Sequence, residues 1–282
     1  MSLANLLKQP EAQFAPLCLD ALTARLAEQA GFSIGYVSGG ALGYAHAVSE
    51  ALLTIDELAD VVRHVTARSN LHIIVDGGVG FGDQVHLMRA VRQFEVAGAA
   101  AIEIEDQVSP KRVSHHRGIE HLIPQEQMVS KVKYACDARA SDDFLIIART
   151  GAVKNESFES ACERANAYAE AGADMILLMP ERAQEWSTVS EQVKAPLVTF
   201  GMLGARSKEA WSELGFSLVI DPFTAQVLAV EATQKAYQSF IQNGTTGRTA
   251  QELFGIYNKL DEIAGFDEFY QVEDATTEKR EV

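Results

Sequence analysis

The segment EDQVSPKRVSHHRG, residues 105–118, combines acidic, basic and imidazole side chains just after an apolar run. Glu105 closes that run, and Lys111, Arg112, His115 and His116 follow without apolar periodicity. Carboxylate oxygens are the ligands that Mg²⁺ prefers. Basic side chains can neutralise a dianion, and a histidine can move a proton near neutral pH. The segment therefore predicts a hard-cation site next to a loop that closes over a small anionic substrate.

Two further charged residues end apolar runs. Asp76 ends HIIVD, and Arg149 ends FLIIAR. Asp76 and Glu105 could share one hard cation, although each could instead cap the helix that follows it. The Arg149 guanidinium suits bidentate capture of a carboxylate, but it could also form a structural ion pair with Glu105 or Glu181. We expect Asp76, Glu105 and Arg149 to lie close together at the same end of neighbouring strands.

Two loops complete the candidate site. Ser38, Gly39 and Gly40 could offer a hydroxyl and backbone N–H groups to a carboxylate, or form only a tight turn. The stretch 107–123 is longer than most strand-to-helix connections, so we expect either a lid that carries Lys111, Arg112, His115 and His116 or a disordered segment. A solvated basic loop is the alternative.

Eight short apolar runs indicate the strands that must position these residues. They alternate with amphipathic stretches, the pattern of strand–helix units around a parallel sheet, and eight such units close a (β/α)₈ TIM barrel. The predicted strands are 15–19, 34–38, 72–76, 101–105, 144–149, 175–179, 196–200 and 217–221. In such barrels the active site lies at the carboxyl ends of the strands, where the candidate residues fall.

A weak repeat supports this count. QAGFSIGYVS, VAGAAAIEIE, EAGADMILLM and ELGFSLVID each run through a glycine into every second strand, and a glycine there suits a left-handed helix end. A doubly wound sheet is the alternative, but GGVGFG at 77–82 lacks the G-x-G-x-x-G spacing. We predict a barrel domain over 1–244 and a C-terminal helical extension with a charged tail over 245–282.

Composition excludes several partners. The formal charge is −15, which disfavours nucleic acid and anionic membrane surfaces. No apolar run approaches the length of a membrane span, and no signal peptide is evident, so we expect a soluble, cytoplasmic protein. Three widely spaced cysteines predict reduced thiols.

Six ordered motifs resemble the isocitrate lyase and phosphoenolpyruvate mutase superfamily. They are LDALTARLAEQAGF, VSGG, VDGGVGFG, IEDQVSPKR, IART and AGADMILLMPE, and the resemblance covers about residues 6–244. It implies a (β/α)₈ barrel that uses Mg²⁺, with Mn²⁺ as an alternative, and an oxo-carboxylate or enolate intermediate. It also implies a homo-oligomer, a dimer or tetramer, whose C-terminal helices are exchanged between subunits.

The resemblance also implies roles for individual residues. Asp76 would bind the metal directly and Glu105 through water. Ser38, Gly39, Gly40, Arg149 and Glu181 would contact the substrate, and the loop that contains Lys111 and Arg112 would be the mobile gate.

Several positions depart from the superfamily pattern. Gly78 stands where a second acid is usual, and Gly151 follows the A-R-T motif. Val113 and Ser114 occupy the places of the cysteine and glycine in the lyases' K-R-C-G-H loop. Cysteine acid catalysis is therefore excluded at that position, and His115 or His116 would replace it as proton donor.

Together these features predict a Mg²⁺-dependent carbon–carbon lyase or decarboxylase. Its substrate would be a small 2-oxo or 2-hydroxy dicarboxylate, cleaved through a pyruvate- or glyoxylate-type enolate. A catalytically weakened barrel that only binds a carboxylate is the alternative, motivated by Gly78, Gly151 and Val113. Carbon–phosphorus bond chemistry is a third option.

Overall fold

The structure, a computed structural model, describes residues 1–277 and contains one eight-stranded parallel sheet. Its strands are β1 (Gln13–Pro16), β2 (Ile34–Val37), β3 (His72–Asp76), β4 (Ala101–Glu105), β5 (Leu145–Arg149), β6 (Met175–Leu177), β7 (Leu197–Phe200) and β8 (Phe216–Asp221). Neighbours in sequence are neighbours in the sheet, and β1 also pairs with β8. An isolated parallel bridge from Leu17 to Tyr36 links the β1 and β2 ends, which confirms the predicted (β/α)₈ barrel.

Helices alternate with these strands. They are α1 (Leu3–Leu6), α2 (Ala21–Gln29), α3 (Gly39–Ala45), α4 (Ile55–Thr66), α5 (Gln84–Val96), α6 (Gln125–Ala138), α7 (Ala152–Asn155), α8 (Phe158–Glu170), α9 (Ala183–Gln192), α10 (Lys208–Glu213), α11 (Thr224–Asn243), α12 (Ala250–Tyr257), α13 (Leu260–Ala264) and α14 (Asp267–Ala275). The four glycines of the repeat, at 31, 98, 172 and 215, all adopt positive φ, as predicted for left-handed helix ends.

Side chains alternate along each strand between two apolar layers, as the period of two requires. On β3, Ile73 and Val75 belong to the layer packed against the helices, while Ile74 belongs to the barrel interior. The interior layer continues upward into polar residues, because Asp76 follows Ile74 at the same period. The polar side chains at the strand ends therefore lie together at one opening of the barrel.

The chain divides into two compact units. The first is Met1–Thr224, and the second begins at Ala225 with the remainder of α11 and includes α12 to α14. Large apolar side chains of the second unit are exposed, among them Val230, Phe240, Phe254 and Tyr257. The boundary predicted at residue 244 and the helix exchange stay predictions, and the end of the charged tail, 278–282, lies outside the described residues. Among those described, no helix combines the length and apolarity that crossing a membrane requires.

Candidate active site

Strand register brings the predicted charged residues to the mouth of the barrel. Asp76 on β3 pairs with Glu103 on β4, and Glu105 pairs with Arg149 on β5. Asp76 and Glu105 are 9% and 2% exposed, so both carboxyl groups depend on protein partners.

Backbone N–H groups hold Asp76. Gly39 donates to its Oδ2 at 3.0 Å, and Gly78 donates to its Oδ1 at 2.9 Å. A side chain at Gly39 would begin 3.0 Å from that Oδ2, so the glycine permits this close approach. Burial, together with the negative charge of Glu50, nevertheless raises the pKa of Asp76. A cation near Asp76 would stabilise the ionised form of this side chain.

Two cations contact Glu105, one at each oxygen. Lys111 Nζ lies 2.6 Å from Oε1, and Arg149 Nη1 lies 3.2 Å from Oε2. Gln107 also donates to Oε2 at 3.1 Å. Burial opposes ionisation, but Lys111 and Arg149 outweigh it and lower the pKa of Glu105. The structural ion pair considered for Arg149 with Glu105 is present.

Glu50 is a further acid at this mouth, in a segment that the strand ends do not define. It begins a short 3₁₀ turn, Glu50–Leu52, and its Oε1 accepts from Lys111 Nζ and lies 2.9 Å from His115 Nε2. Burial opposes ionisation, but the His115 hydrogen bond and the Lys111 charge lower the pKa of Glu50. Gly40 leaves room for it, since a Cβ there would lie 2.8 Å from Glu50 Oε2.

The two histidines of the loop differ in charge state. His115 Nδ1 lies 2.7 Å from the Arg112 carbonyl oxygen, and Nε2 faces Glu50. Neither partner can donate, so both ring nitrogens must, and His115 is an imidazolium. The Glu50 hydrogen bond raises its pKa. The His116 ring packs against the His115 ring, with 4.0 Å between the ring centroids, and its Nε2 is hydrogen-bonded to Ser49 Oγ at 2.9 Å. Burial and the neighbouring charge of His115 lower the pKa of His116.

A buried polar network joins the ends of β4 and β5 to α8. Asp106 accepts from Thr150 Oγ1 at 2.7 Å, the Gly151 N–H at 3.0 Å and Tyr168 Oη at 2.8 Å. Arg164 Nη1 lies 3.4 Å from the same carboxyl group. Burial outweighs these partners and raises the pKa of Asp106. The network fixes the positions of the strand ends that carry Glu105 and Arg149.

Two cavities open at this mouth. One, of about 400 Å³, is lined by Ser38, Gly40, Arg149, His115 and His116, with Phe200, Met202 and Phe223 among its apolar walls. The other, of about 190 Å³, is lined by Gly39, Gly78 and Lys111 among others. Both reach Asp76 and Glu50. The larger cavity suits a small molecule with an anionic end and an apolar end.

Ser38 lies at the start of α3 and at the larger cavity. Its Oγ caps α3 by accepting from the Ala41 N–H at 3.2 Å, and the residue also lines the larger cavity.

Two predicted site residues lie elsewhere. The Arg112 side chain is exposed, and only its carbonyl contributes, to His115. Glu181 is exposed after β6, where its N–H donates to Glu185, and it lines neither cavity. The structure therefore brings together Ser38, Gly39, Gly40, Asp76, Glu105, Lys111, His115, His116 and Arg149, but not Arg112 or Glu181.

The carboxylates have the donor chemistry of a Mg²⁺ site but not its geometry. Within residues 1–277, no group of three or more His, Cys, Asp or Glu side chains is placed to hold a metal ion. Instead, the Lys111 ammonium contacts Glu50 and Glu105. The arrangement with the loop in this position does not fit a divalent cation.

Comparison with known proteins gives consistent matches over nearly the whole chain. The sequence model described as phosphoenolpyruvate phosphomutase matches residues 3–241. The chain is 36% identical to 2-methylisocitrate lyase of Aeropyrum pernix, over 99% of this chain and 91% of the relative. It is 32% identical to 2,3-dimethylmalate lyase of Eubacterium barkeri, over 95% of each.

A solved structure of phosphonopyruvate hydrolase in complex with oxalate and Mg²⁺ superposes with a TM-score of 0.83. It is 29% identical in sequence and is covered over 98% of both chains.

Proposed function

The chain belongs to the phosphoenolpyruvate phosphomutase family, and from that premise we propose that it is a carbon–carbon lyase, an oxo-acid lyase or a carboxy-lyase. Its substrate is a small 2-oxo or 2-hydroxy dicarboxylate, which it cleaves to a pyruvate- or glyoxylate-type enolate. The named relatives, 2-methylisocitrate lyase and 2,3-dimethylmalate lyase, support this reaction class. The observation that carries the proposal is the single cavity shared by Arg149, Ser38, Asp76 and His115.

Arg149 binds and orients the substrate carboxylate. Its side chain is 15% exposed, and the ion pairs to Glu105 and Glu103 at 3.2 and 3.5 Å use only one of its nitrogens. The remaining N–H donors of the guanidinium fork can meet a carboxylate. The Phe200 ring, 5.1 Å from the Arg149 Cζ, supports the planar group from one side. Ser38 and Gly40 line the same cavity.

His115 supplies the proton where the reaction needs one. It lines the cavity as an imidazolium whose two N–H groups face Glu50 and a backbone carbonyl, so the proton is present, and the Nε2–H must turn from Glu50 toward the substrate to donate it. Transfer leaves neutral imidazole beside Glu50, which can recover a proton from solvent. His116 is neutral in this arrangement and is the weaker candidate.

Mg²⁺, or Mn²⁺ in its place, is the proposed cofactor. The resemblance and the Mg²⁺ complex of a solved relative support it. Because the described arrangement does not fit a metal, the roles proposed for Arg149 and His115 do not depend on one. Asp76, Glu105 and Glu50 are the proposed ligands.

The test is product release from a panel of small acids. Oxaloacetate, isocitrate, 2-methylisocitrate, citramalate and 2,3-dimethylmalate would be incubated with Mg²⁺ or with EDTA, and pyruvate or glyoxylate coupled to NADH oxidation. We expect one substrate to turn over and EDTA to abolish it. Asp76→Asn and Arg149→Lys should each lower kcat/KM about a hundredfold or more, since the first removes a charge and the second the bidentate fork.

Failure of the folded protein to turn over any panel member would contradict the lyase proposal. Turnover that EDTA does not reduce would support the lyase reaction and contradict the proposed Mg²⁺ cofactor. Arg182→Lys is the matched control for Arg149→Lys, because Arg182 is exposed at the start of α9, and it should leave kcat/KM unchanged.

Phosphonate chemistry is the second candidate. The likeness to phosphonopyruvate hydrolase at 29% identity favours it, so phosphonopyruvate belongs in the panel with phosphate release as the measurement. Phosphate release without carbon–carbon cleavage would move the assignment to this reaction.

Assembly and location remain proposals. The exposed apolar side chains of the second unit support a homo-oligomer, a dimer or tetramer, which light scattering would test. A cytoplasmic location is proposed for the chain.

A further inference from the structure

The larger cavity has a charged side and an apolar side. Asp76 on β3 and Arg149 on β5 belong to the charged side, whereas the residues that line the cavity at the ends of β6, β7 and β8 are uncharged. These three strands are neighbours in the sheet, so their ends form one continuous surface. The side chains of this surface, the apolar wall, are Met179, Phe200, Met202, Pro222 and Phe223.

Three observations locate the apolar wall relative to a bound substrate. The Phe200 ring lies 5.1 Å from Arg149 Cζ. A Cβ placed on Gly40 would lie 3.4 Å from the Phe223 ring. Met202 is 55% exposed, which places it at the rim of the cavity. A substrate whose carboxylate is held by Arg149 therefore has its other substituents next to this wall.

Few cations in this cavity are available to carboxylates. Among the lining residues, all of which belong to the described part of the chain, the basic side chains are Arg149, His115 and His116. His116 is neutral in this arrangement, and Asp76 and Glu50 add negative charge to the lining. Arg149 and the His115 imidazolium match the two carboxylates of a dicarboxylate. A third carboxylate would face the apolar wall or an acid.

The basic residues that follow β6 and β7 do not supply a third cation. Arg182 is exposed at the start of α9, and Arg206 is held over two aromatic rings, with its Cζ 5.3 Å from the Trp186 centroid and 5.2 Å from the Trp211 centroid. Neither arginine lines either of the two cavities. A substituent on this side of the cavity therefore meets apolar side chains.

Polarity discriminates among substrates here more than size does. The volume of about 400 Å³ is within the usual range for small-molecule sites. Each methylene buried against an apolar wall strengthens binding about fourfold. A carboxylate in the same place loses its water without gaining a partner, so it weakens binding.

We propose that the apolar wall selects dicarboxylates that carry an alkyl branch and rejects tricarboxylates. Met202 contacts the end of the branch at the rim. The inference rests on the proposed function in taking a dicarboxylate as the substrate. In the panel of small acids, 2,3-dimethylmalate should have a higher kcat/KM than 2-methylisocitrate, in which a carboxymethyl group replaces the methyl group on C3.

The first test is binding of acids that the proposed reaction cannot cleave. Methylsuccinate, isobutylsuccinate and tricarballylate lack the C2 oxygen that cleavage requires, and the branches of the last two have the same shape but end in an isopropyl group and a carboxylate. Titration calorimetry would use the full chain with Mg²⁺. Isobutylsuccinate should bind about tenfold or more tighter than methylsuccinate. It should also bind about tenfold or more tighter than tricarballylate.

The second test adds a cation to the apolar wall. Met202→Lys places an ammonium at the rim and should strengthen tricarballylate binding about tenfold or more, while isobutylsuccinate binds more weakly. Leu203→Lys is the matched control, because Leu203 is 39% exposed and lines neither cavity. It makes the same change in net charge and should strengthen tricarballylate binding about threefold or less, since a screened charge outside the cavity acts weakly.

Several results would overturn the proposal. They are tricarballylate binding as tightly as isobutylsuccinate in wild type, no binding of any of the three acids, and equal gains for tricarballylate in the two lysine variants. The calorimetry uses no turnover, so it separates this inference from the lyase proposal. A substrate panel without cleavage would contradict the lyase and leave an observed alkyl preference standing, whereas cleavage of 2-methylisocitrate in preference to 2,3-dimethylmalate would support the lyase and overturn the alkyl preference.

Discussion

The Tyr36 hydroxyl donates a hydrogen bond to Glu103 Oε2, with 2.6 Å between the oxygens, on the interior side of the barrel. Glu103 is fully buried, and burial together with the Asp76 charge raises its pKa from 4.5 to about 7. Tyr36 is likewise held neutral, since burial and the Asp76 charge raise its pKa. The barrel interior therefore carries a carboxyl group that titrates near neutral pH.

Glu103→Gln should remove a pH dependence of stability. In the folded state Glu103 holds its proton up to about pH 7, whereas in the unfolded chain it releases it near 4.5. Its contribution is thus complete below about pH 4.5 and is lost as pH rises through about 7. Relative to wild type, the variant should gain about 3 kcal/mol of unfolding free energy from pH 4.5 to 8. Urea unfolding in EDTA measures the free energy of unfolding of both proteins at each pH. A difference between the two proteins that does not change with pH would contradict the prediction.

Glu50→Gln should lower the pKa of His115. The Glu50 carboxylate is the main cause of the raised pKa, so its neutral isostere should return the imidazole toward 6.5 or below. NMR titration of labelled histidine measures this directly. An unchanged His115 titration would show that Glu50 does not hold the proton.

His115→Gln should lower kcat by about a hundredfold or more if protonation is part of the reaction, since a positioned acid contributes that much. His116→Gln, its stacked neighbour, should cost about tenfold or less because His116 is neutral. In wild type, activity should persist above pH 6.5 and fall as His115 loses its proton. Equal losses in the two variants would show that the loop as a whole, rather than this acid, is required.

Most of the barrel could be predicted from the sequence, because buried parallel strands are apolar throughout. The predicted limits of β3 and β4 match His72–Asp76 and Ala101–Glu105. The first strand was misplaced: it runs Gln13–Pro16, not 15–19. Ladder pairing with β8 defines that strand, whereas the apolarity of Leu17 and Cys18 reflects burial beyond its end.

The site was predictable where strand ends define it and not where loops do. Asp76, Glu105 and Arg149 followed from strand ends, and alternation in AIEIE would also have identified Glu103 on the same face as Glu105. Glu50 contacts Lys111 and His115 only through long-range packing of an aperiodic segment. Lys111 and Arg112 are adjacent on a loop, and no periodic pattern there predicts which of the two side chains points inward.

Asp106→Ala should destabilise the first unit by about 3–5 kcal/mol, because three donors of the network lose their acceptor and a buried unsatisfied donor costs about 1–3 kcal/mol. These donors are Thr150 Oγ1, the Gly151 N–H and Tyr168 Oη, whereas Arg164 keeps its ion pair with Glu156. Tyr168→Phe, which removes the hydrogen bonds that the hydroxyl makes with Asp106 and Arg164, should cost only about 1–3 kcal/mol. Urea unfolding would separate the two, and similar small losses would show that Asp106 is not the centre of the network.

Gly78→Asp should tighten metal binding. Gly78 adopts φ of +50°, which aspartate tolerates better than most residues, and a Cβ there meets no atom within 4 Å. The strain should cost about 1 kcal/mol of stability. A carboxylate two residues after Asp76 adds negative charge where the superfamily pattern usually has an acid. We expect Mn²⁺ affinity to rise about fivefold or more.

Gly78→Asn is the matched control for that variant, since it has the same shape and backbone strain without the charge. Asparagine should leave Mn²⁺ affinity within about twofold of wild type, because an amide oxygen attracts a cation far less than a carboxylate does. If Asp and Asn behaved alike, the side chain at 78 would not reach the cation. The glycine would then be a backbone requirement of the turn that donates its N–H to Asp76 at 2.9 Å.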